Sequence, residues 1–157
     1  METSAEGGAM KTHISLSPIE QDYKQFYTDT GFYSDQAVTL EAFMDAIRGS
    51  SEKYQHLMPD YLSPSIDTKS LVEDSYFQTQ EDISAIRHIR YLPATIHEHE
   101  FFELACVLSG TFTNFIGQQK MELHAGDIFI LAPKTPHAIC TYGDDGIMIN
   151  ILMRSST

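Results

Sequence analysis

The sequence predicts a mainly β protein, an antiparallel barrel preceded by a helical extension. Two observations predict it. From about Tyr76 onward short β-prone runs follow one another, and Gly110, Gly117, Gly126, Gly143 and Gly146 punctuate them, the texture of a sandwich or barrel. Before that point the apolar residues recur with helical spacing instead.

Residues 1–15 are small, polar and aperiodic and read as a loose terminus. Residues 16–75 form the helical extension and a linker. Ser17 is placed to cap a first helix, with Pro18 at its first position, Glu20 reaching back as a capping box, Tyr23, Phe26 and Tyr27 on one face and Gly31 as the stop. A second helix is expected from Thr39 through LEAFMDAIR, with Leu40, Phe43, Met44 and Ile47 on one face and Gly49 at its end. A short third, SEKYQHLM, stops before Pro59, and residues 59–75, with two prolines and several Ser and Asp, read as a loop. Residues 76–157 are the barrel. Its strands are expected at ISAIRHIRY, FELACVL, TFTNFI, KMEL, DIFIL, HAICTY and IMINILM.

Composition bounds the function. A chain of 157 residues fits one domain, and no run approaches the ~20 apolar residues of a membrane helix. Its first residues, METSAEGGAMKTH, lack the basic and apolar regions of a secretory signal, so a soluble, cytoplasmic protein with no membrane partner is expected. The formal charge of -12, with ten Lys and Arg, argues against a phosphate backbone held by these residues. Cys106 and Cys140 are too few for a disulfide scaffold and are expected as buried, reduced thiols. There is no GxGxxG or GxxxxGK to cradle a phosphate.

Chemistry concentrates in HEHEFFE, residues 97–103. Alternate residues of an unbroken strand share a face, so His97, His99 and Glu103 project to one side, Phe101 with them, and Glu98 and Glu100 to the other. His137 follows a second block, GDIFILAPKTPH, on a run able to lie opposite. Three imidazoles and a carboxylate suit Fe, Mn, Ni, Cu or Zn alike, or else form a metal-free polar pocket. Phe101 walls that cavity or simply packs in the core. His13, His56, His88 and His124 stand apart from both blocks and read as surface or satisfied histidines. Neither cysteine shares the parity that would aim a nucleophile at the set.

These two blocks resemble the paired motifs of the cupin superfamily. His97, His99, Glu103 and Gly110 meet HxHxxxExxxxxxG in full, while Gly126 and His137 meet the frame of GxxxxxPxGxxH. Ala132 stands where proline is usual, Lys134 and Tyr91 where glycine is, and Thr141 where asparagine is. The resemblance implies a cupin-type jelly-roll barrel with a ligand site, and a possible divalent Zn, Ni, Fe or Mn, at His97, His99, Glu103 and His137. More narrowly, HEHEFFELACVLSGTFTNFIG, LHAGDIFILAPKTPH and DDGIMINILMRSS are similar to the N-terminal sensor domains of AraC-type transcriptional regulators. That implies a small-molecule effector, with contact to DNA only through helix-turn-helix motifs of a C-terminal domain not in this chain, which is expected to be either one domain of a longer regulator or a stand-alone relative; a homodimer is expected. The alternative is a small metal-dependent cupin enzyme, a dioxygenase, isomerase or lyase, and a third reading is a sugar-binding or storage-type cupin without catalysis.

Overall fold

The computed structural model describes residues 14–33, 35–58, 70–71, 77 and 81–155. The loose terminus before Ile14, the loop at 59–69 and His13 lie outside the described residues. No helix among the described residues is long and apolar enough to cross a membrane.

Helix α1, Pro18–Thr30, begins where the capping signals put it. Ser17 accepts from the Glu20 amide, Glu20 accepts from the Ser17 amide at 2.8 Å, and Gly31 closes the helix in the left-handed region. Helix α2, Leu40–Arg48, is capped by Thr39 and followed by a 3-10 turn, Glu52–Leu57. Their apolar faces meet in a largely aromatic cluster of Tyr23, Phe26, Tyr27, Phe43, Ile47, Tyr54 and Leu57. Tyr91 joins it from the β domain, so the helices pack against the barrel as well as each other.

The strands are β1 Ser70–Leu71, β2 Ile83–Arg87, β3 Glu98–His99, β4 Phe102–Ser109, β5 Thr111–Ile116, β6 Gln119–His124, β7 Ile128–Leu131, β8 His137–Cys140 and β9 Ile147–Met153. A four-stranded antiparallel sheet runs β2-β9-β4-β7 and a three-stranded one runs β6-β5-β8, while β1 and β3 pair in parallel. The larger sheets enclose Ala105, Val107, Phe112, Leu123, Ile139 and Met148, contributed by both. This is the mainly β architecture with an N-terminal helical extension that the sequence predicts. Gly110 has φ 71°, and a Cβ there would stand 2.7 Å from the Gly146 Cα, so two glycines abut where β4 turns into β5.

Helix α1 is fastened to the barrel through charge. Arg90 and Glu20 are both fully buried. The Arg90 Nη2 donates to Glu20 Oε2 at 2.8 Å, its Nε donates to Oε1 at 3.2 Å, and Arg87 adds a further donor at 2.8 Å. Arg90 also donates to the Ile14, Ser15 and Asp144 carbonyls. Burial opposes ionisation of Glu20, yet the two guanidiniums hold its carboxyl far below the usual range.

Register places directly paired residues on one face, so the outer surface of the four-stranded sheet reads Ile128–Cys106–Ile149–Arg87, Ile130–Leu104–Ile151–Ala85 and Phe102–Met153–Ile83. Ile83, Ile128 and Ile130 are each more than 60% exposed. Cys106 lies half-buried on this face, unlike the buried thiol expected of it; Cys140 is buried, and burial pushes its thiol up to about 11.

Candidate metal centre and ligand site

The HEHEFFE stretch is not one unbroken strand. β3 ends at His99, the chain bends through Glu100 and Phe101, and β4 starts at Phe102. The bend decides the geometry. Residues four apart in an extended strand lie roughly 13 Å apart along it, whereas Nε2 of His99 stands 3.2 Å from Oε2 of Glu103. His137 enters from β8 by a reciprocal pair of backbone hydrogen bonds with His97, 2.9 Å each. Ligand atoms of His99, Glu103 and His137 all lie within 4.8 Å of one another. His97 stands beside this trio rather than within it at that distance, its ring 4.4 Å from that of His137. Phe101 is buried with Phe77 and Leu152, and its ring stacks on His99 at 4.3 Å and 6°, so it orients an imidazole from within the core. Glu100 is exposed and Glu98 half-buried.

Each of the three imidazoles has Nδ1 against a backbone carbonyl: His97 on Thr95 at 2.9 Å, His99 on Phe101 at 2.7 Å, His137 on Thr135 at 3.0 Å. A carbonyl only accepts, so the bond requires the proton on Nδ1 and leaves the Nε2 lone pair facing the cluster. Such outer bonds fix the tautomer of metal-ligating histidines. Nε2 of His99 and of His137 are buried without a hydrogen-bond partner; the approach of His99 to Glu103 is close but not aligned for one. Burial lowers the pKa of His97 and takes His137 down to about 4, so both are neutral at pH 7. Burial, the largest single influence, would raise Glu103, but His99, His137 and His97 around it together hold the carboxyl below its ordinary value. Neutral imidazoles and an ionised carboxylate are the forms that bind a metal. A divalent ion would be held by His99, Glu103 and His137, with His97 next to them. It would supply Lewis acidity toward an oxygen ligand.

The second motif loop is tied to the first: Lys134, at φ 60°, donates its amide to the His99 carbonyl at 2.7 Å. Tyr91 likewise has φ 64°. Both positions where glycine is usual therefore keep the left-handed backbone with another residue in it. Thr141 takes a framing role where asparagine is usual, its hydroxyl donating to the Thr111 carbonyl at 2.8 Å and its own carbonyl receiving the Tyr91 amide at 2.9 Å.

Three polar residues of the interior were not singled out by their position in the motifs. Asn114 is fully buried with neither amide atom partnered, Asn150 is buried with an unpartnered Oδ1, and the buried Nε2 of His88 has no partner either. His88 meets Phe112 edge-on at 5.7 Å, and burial takes it down to about 4. His56 instead pairs with Asp22 and His124 with Glu122, both at the surface.

Residues 90–151 match the family model of the cupin domain, a stretch holding both motifs. No curated protein matches the chain. Among solved structures, KdgF from Halomonas sp. is 25% identical over 46% of this chain and 69% of its own, with a TM-score of 0.42. A cupin protein from Bacteroides fragilis is 26% identical over 48% and 66%, TM-score 0.37, and an RmlC-like cupin from Shewanella frigidimarina 25% identical over 48% and 68%, TM-score 0.39.

Proposed function

We propose that the cupin domain at residues 90–151 is a sensor that binds a small-molecule effector over a divalent metal centre of His99, Glu103 and His137, flanked by His97. The observation that carries the metal is the His99–Glu103 approach. With Nδ1 donating to the Phe101 carbonyl, Nε2 of His99 stands 3.2 Å from a carboxylate oxygen of Glu103 without an aligned hydrogen bond. Only a cation between or beside them, a proton or a metal ion, makes that approach favourable, and the partnerless Nε2 of His137 adds a third donor to the same point.

The regulatory half of the proposal rests on the resemblance of residues 97–117, 123–137 and 144–156 to AraC-type sensor domains, and on charge. A unit carrying -12 repels DNA and would need a separate basic region to contact it. Helix α1, fastened to the barrel through Glu20, Arg87 and Arg90, is the element able to report an effector to such a region. A homodimer is part of this reading. Its supporting feature is the outer face of the four-stranded sheet, whose three rows are apolar but for Arg87 at one end, itself paired with Glu20, and contain no acidic residue on a chain otherwise strongly acidic.

A second reading, a metal-dependent dioxygenase, isomerase or lyase, is favoured by the two-histidine, one-carboxylate composition of the trio, the set that leaves metal positions open to substrate and oxygen. One experiment separates the two. The purified chain is loaded with Fe(II), Mn(II), Ni(II) or Zn(II), screened by thermal shift against metabolite mixtures, and each hit is followed by mass spectrometry. A sensor is stabilised by a compound it returns unchanged; turnover of the stabilising compound would overturn the sensor and establish the enzyme. Sequencing the reading frame beyond Thr157 tests the regulator: helix-turn-helix motifs are expected, and an immediate stop codon would refute it.

A further inference from the structure

The loop between β7 and β8, residues 132–136, is tied to the metal centre at three points. Leu131, just before it, pairs with Glu103. Lys134, at its middle, gives its amide to the His99 carbonyl at 2.7 Å. His137, just after it, exchanges backbone hydrogen bonds with His97. The loop therefore borders the centre along its length, and Pro133 and Pro136 stiffen it there. Lys134 is exposed, and its backbone lies in the left-handed region, which glycine adopts freely and other residues only at a cost. Its ammonium makes no ion pair, hydrogen bond or ring contact among the described residues, not even with Glu98 or Glu100 on either side of His99. Every other Lys and Arg among them is engaged, with a carboxylate, with the Phe115 ring for Lys120, or with the Glu81 carbonyl for Arg154. On a chain of formal charge -12, an unpaired cation held in a costly conformation beside buried metal ligands calls for a partner from outside.

We infer that Lys134 is the specificity-determining residue of the metal centre and selects a small organic carboxylate, whose negative charge is shared between the ion and the Lys134 ammonium. This rests on the metal reading above and names its ligand class. With Glu103 as its one carboxylate, a divalent ion keeps a surplus of positive charge, and Lys134 adds to it at the rim. The flexible four-carbon stem of a lysine brings the ammonium to a molecule resting on the ion. An amine is repelled by both charges, and a neutral ligand draws on the ion alone. Phosphate is disfavoured by the backbone of the loop. Bound phosphate is cradled by successive free amides, whereas Pro133 and Pro136 have none and those of Lys134 and His137 are spent on His99 and His97. A carboxylate needs only the ion and one ammonium.

The test is calorimetry on the full chain loaded with Mn(II) or Zn(II), titrated with acetate, malonate and succinate, each beside its amide, and with inorganic phosphate, the bound ion being measured after each run. At least one carboxylate is expected to bind roughly tenfold or more tighter than its amide. Lys134→Met should lower that carboxylate's affinity roughly tenfold and leave the amide's unchanged, while Lys134→Arg keeps both. Lys134→Gly removes the charge and relieves the backbone, so a matching loss there separates the ammonium from any distortion of the loop. All three variants should bind the ion as the wild type does. Amides bound as tightly as carboxylates, no carboxylate bound, or a carboxylate affinity unchanged in either neutral variant would overturn the inference, and normal ion uptake beside that result would leave the metal centre standing. Phosphate bound more tightly than every carboxylate would overturn it as well. A chain that takes up no ion would instead remove the metal reading, and this inference with it.

Discussion

Nε2 of His99 and Oε2 of Glu103 lie 3.2 Å apart although a strand spanning them would hold them several times farther away. The bend at Glu100 and Phe101 makes the contact, and the metal reading of it is open to a direct test. Protein purified without chelator should retain near-stoichiometric divalent ion by elemental analysis. His137→Ala and Glu103→Gln should each weaken ion binding at least tenfold in calorimetry, and His97→Ala less than either, since His97 stands outside the trio. Metal-free protein whose Tm is indifferent to all four ions would sink the metal centre.

Stability of the chelated protein should fall as the medium is acidified below about pH 6.5. His88 and His137 both have folded-state values of about 4, below that of an unfolded histidine. Between about 4 and 6.5 the unfolded chain binds more protons, so stability is fully present above 6.5 and is lost as pH falls toward 4, by up to about 1.4 kcal/mol per pH unit for each imidazole. Urea unfolding at pH 7.5, 6, 5 and 4.5 measures the slope, and His88→Gln should flatten it. A curve level over that interval would contradict the burial argument.

Lys134 holds a backbone that glycine holds without strain. Lys134→Gly is expected to change stability by less than about 1 kcal/mol, relief of left-handed strain offsetting lost chain stiffness, while Lys134→Val should cost roughly 1–3 kcal/mol because a β-branched residue resists positive φ. Thermal denaturation decides. Equal Tm for the glycine and valine variants would show that the loop does not need this conformation.

The apolar outer face predicts self-association that a single charge should break. Light scattering during gel filtration at ~50 µM should give twice the chain mass for the wild type and the chain mass for Ile130→Lys, with the far-UV circular dichroism unchanged. A monomeric wild type would leave the face without the partner proposed for it.

How much of this was legible in the sequence follows from what kind of information each feature needs. Ser17, Pro18, Glu20 and Gly31 act within one turn of chain, and each appears in the role its local chemistry predicts. The β texture and the two motif blocks were readable because spacing along a strand and turns are also local. Parity correctly set Glu103 facing inward, but it treated residues 97–103 as one strand and could not foresee the bend. Glu20 read only as a capping residue; that it also receives Arg90 and Arg87 depends on residues about seventy positions away. His88 read as satisfied, and Asn114 and Asn150 carried no motif at all. Being without a partner is a property of everything around a side chain, and no local pattern encodes it.

The Glu20–Arg90 pair sets how α1 can move. Lifting the helix by a small amount would strand a carboxylate and a guanidinium out of reach of both each other and water, a penalty of several kcal/mol, whereas lifting it fully rehydrates both. Intermediate positions are therefore disfavoured, and the helix behaves as a latch with two positions instead of a spring. In native-state hydrogen exchange the α1 amides should open together, in one cooperative step with Arg90's own segment, and Glu20→Gln should turn that step into gradual fraying.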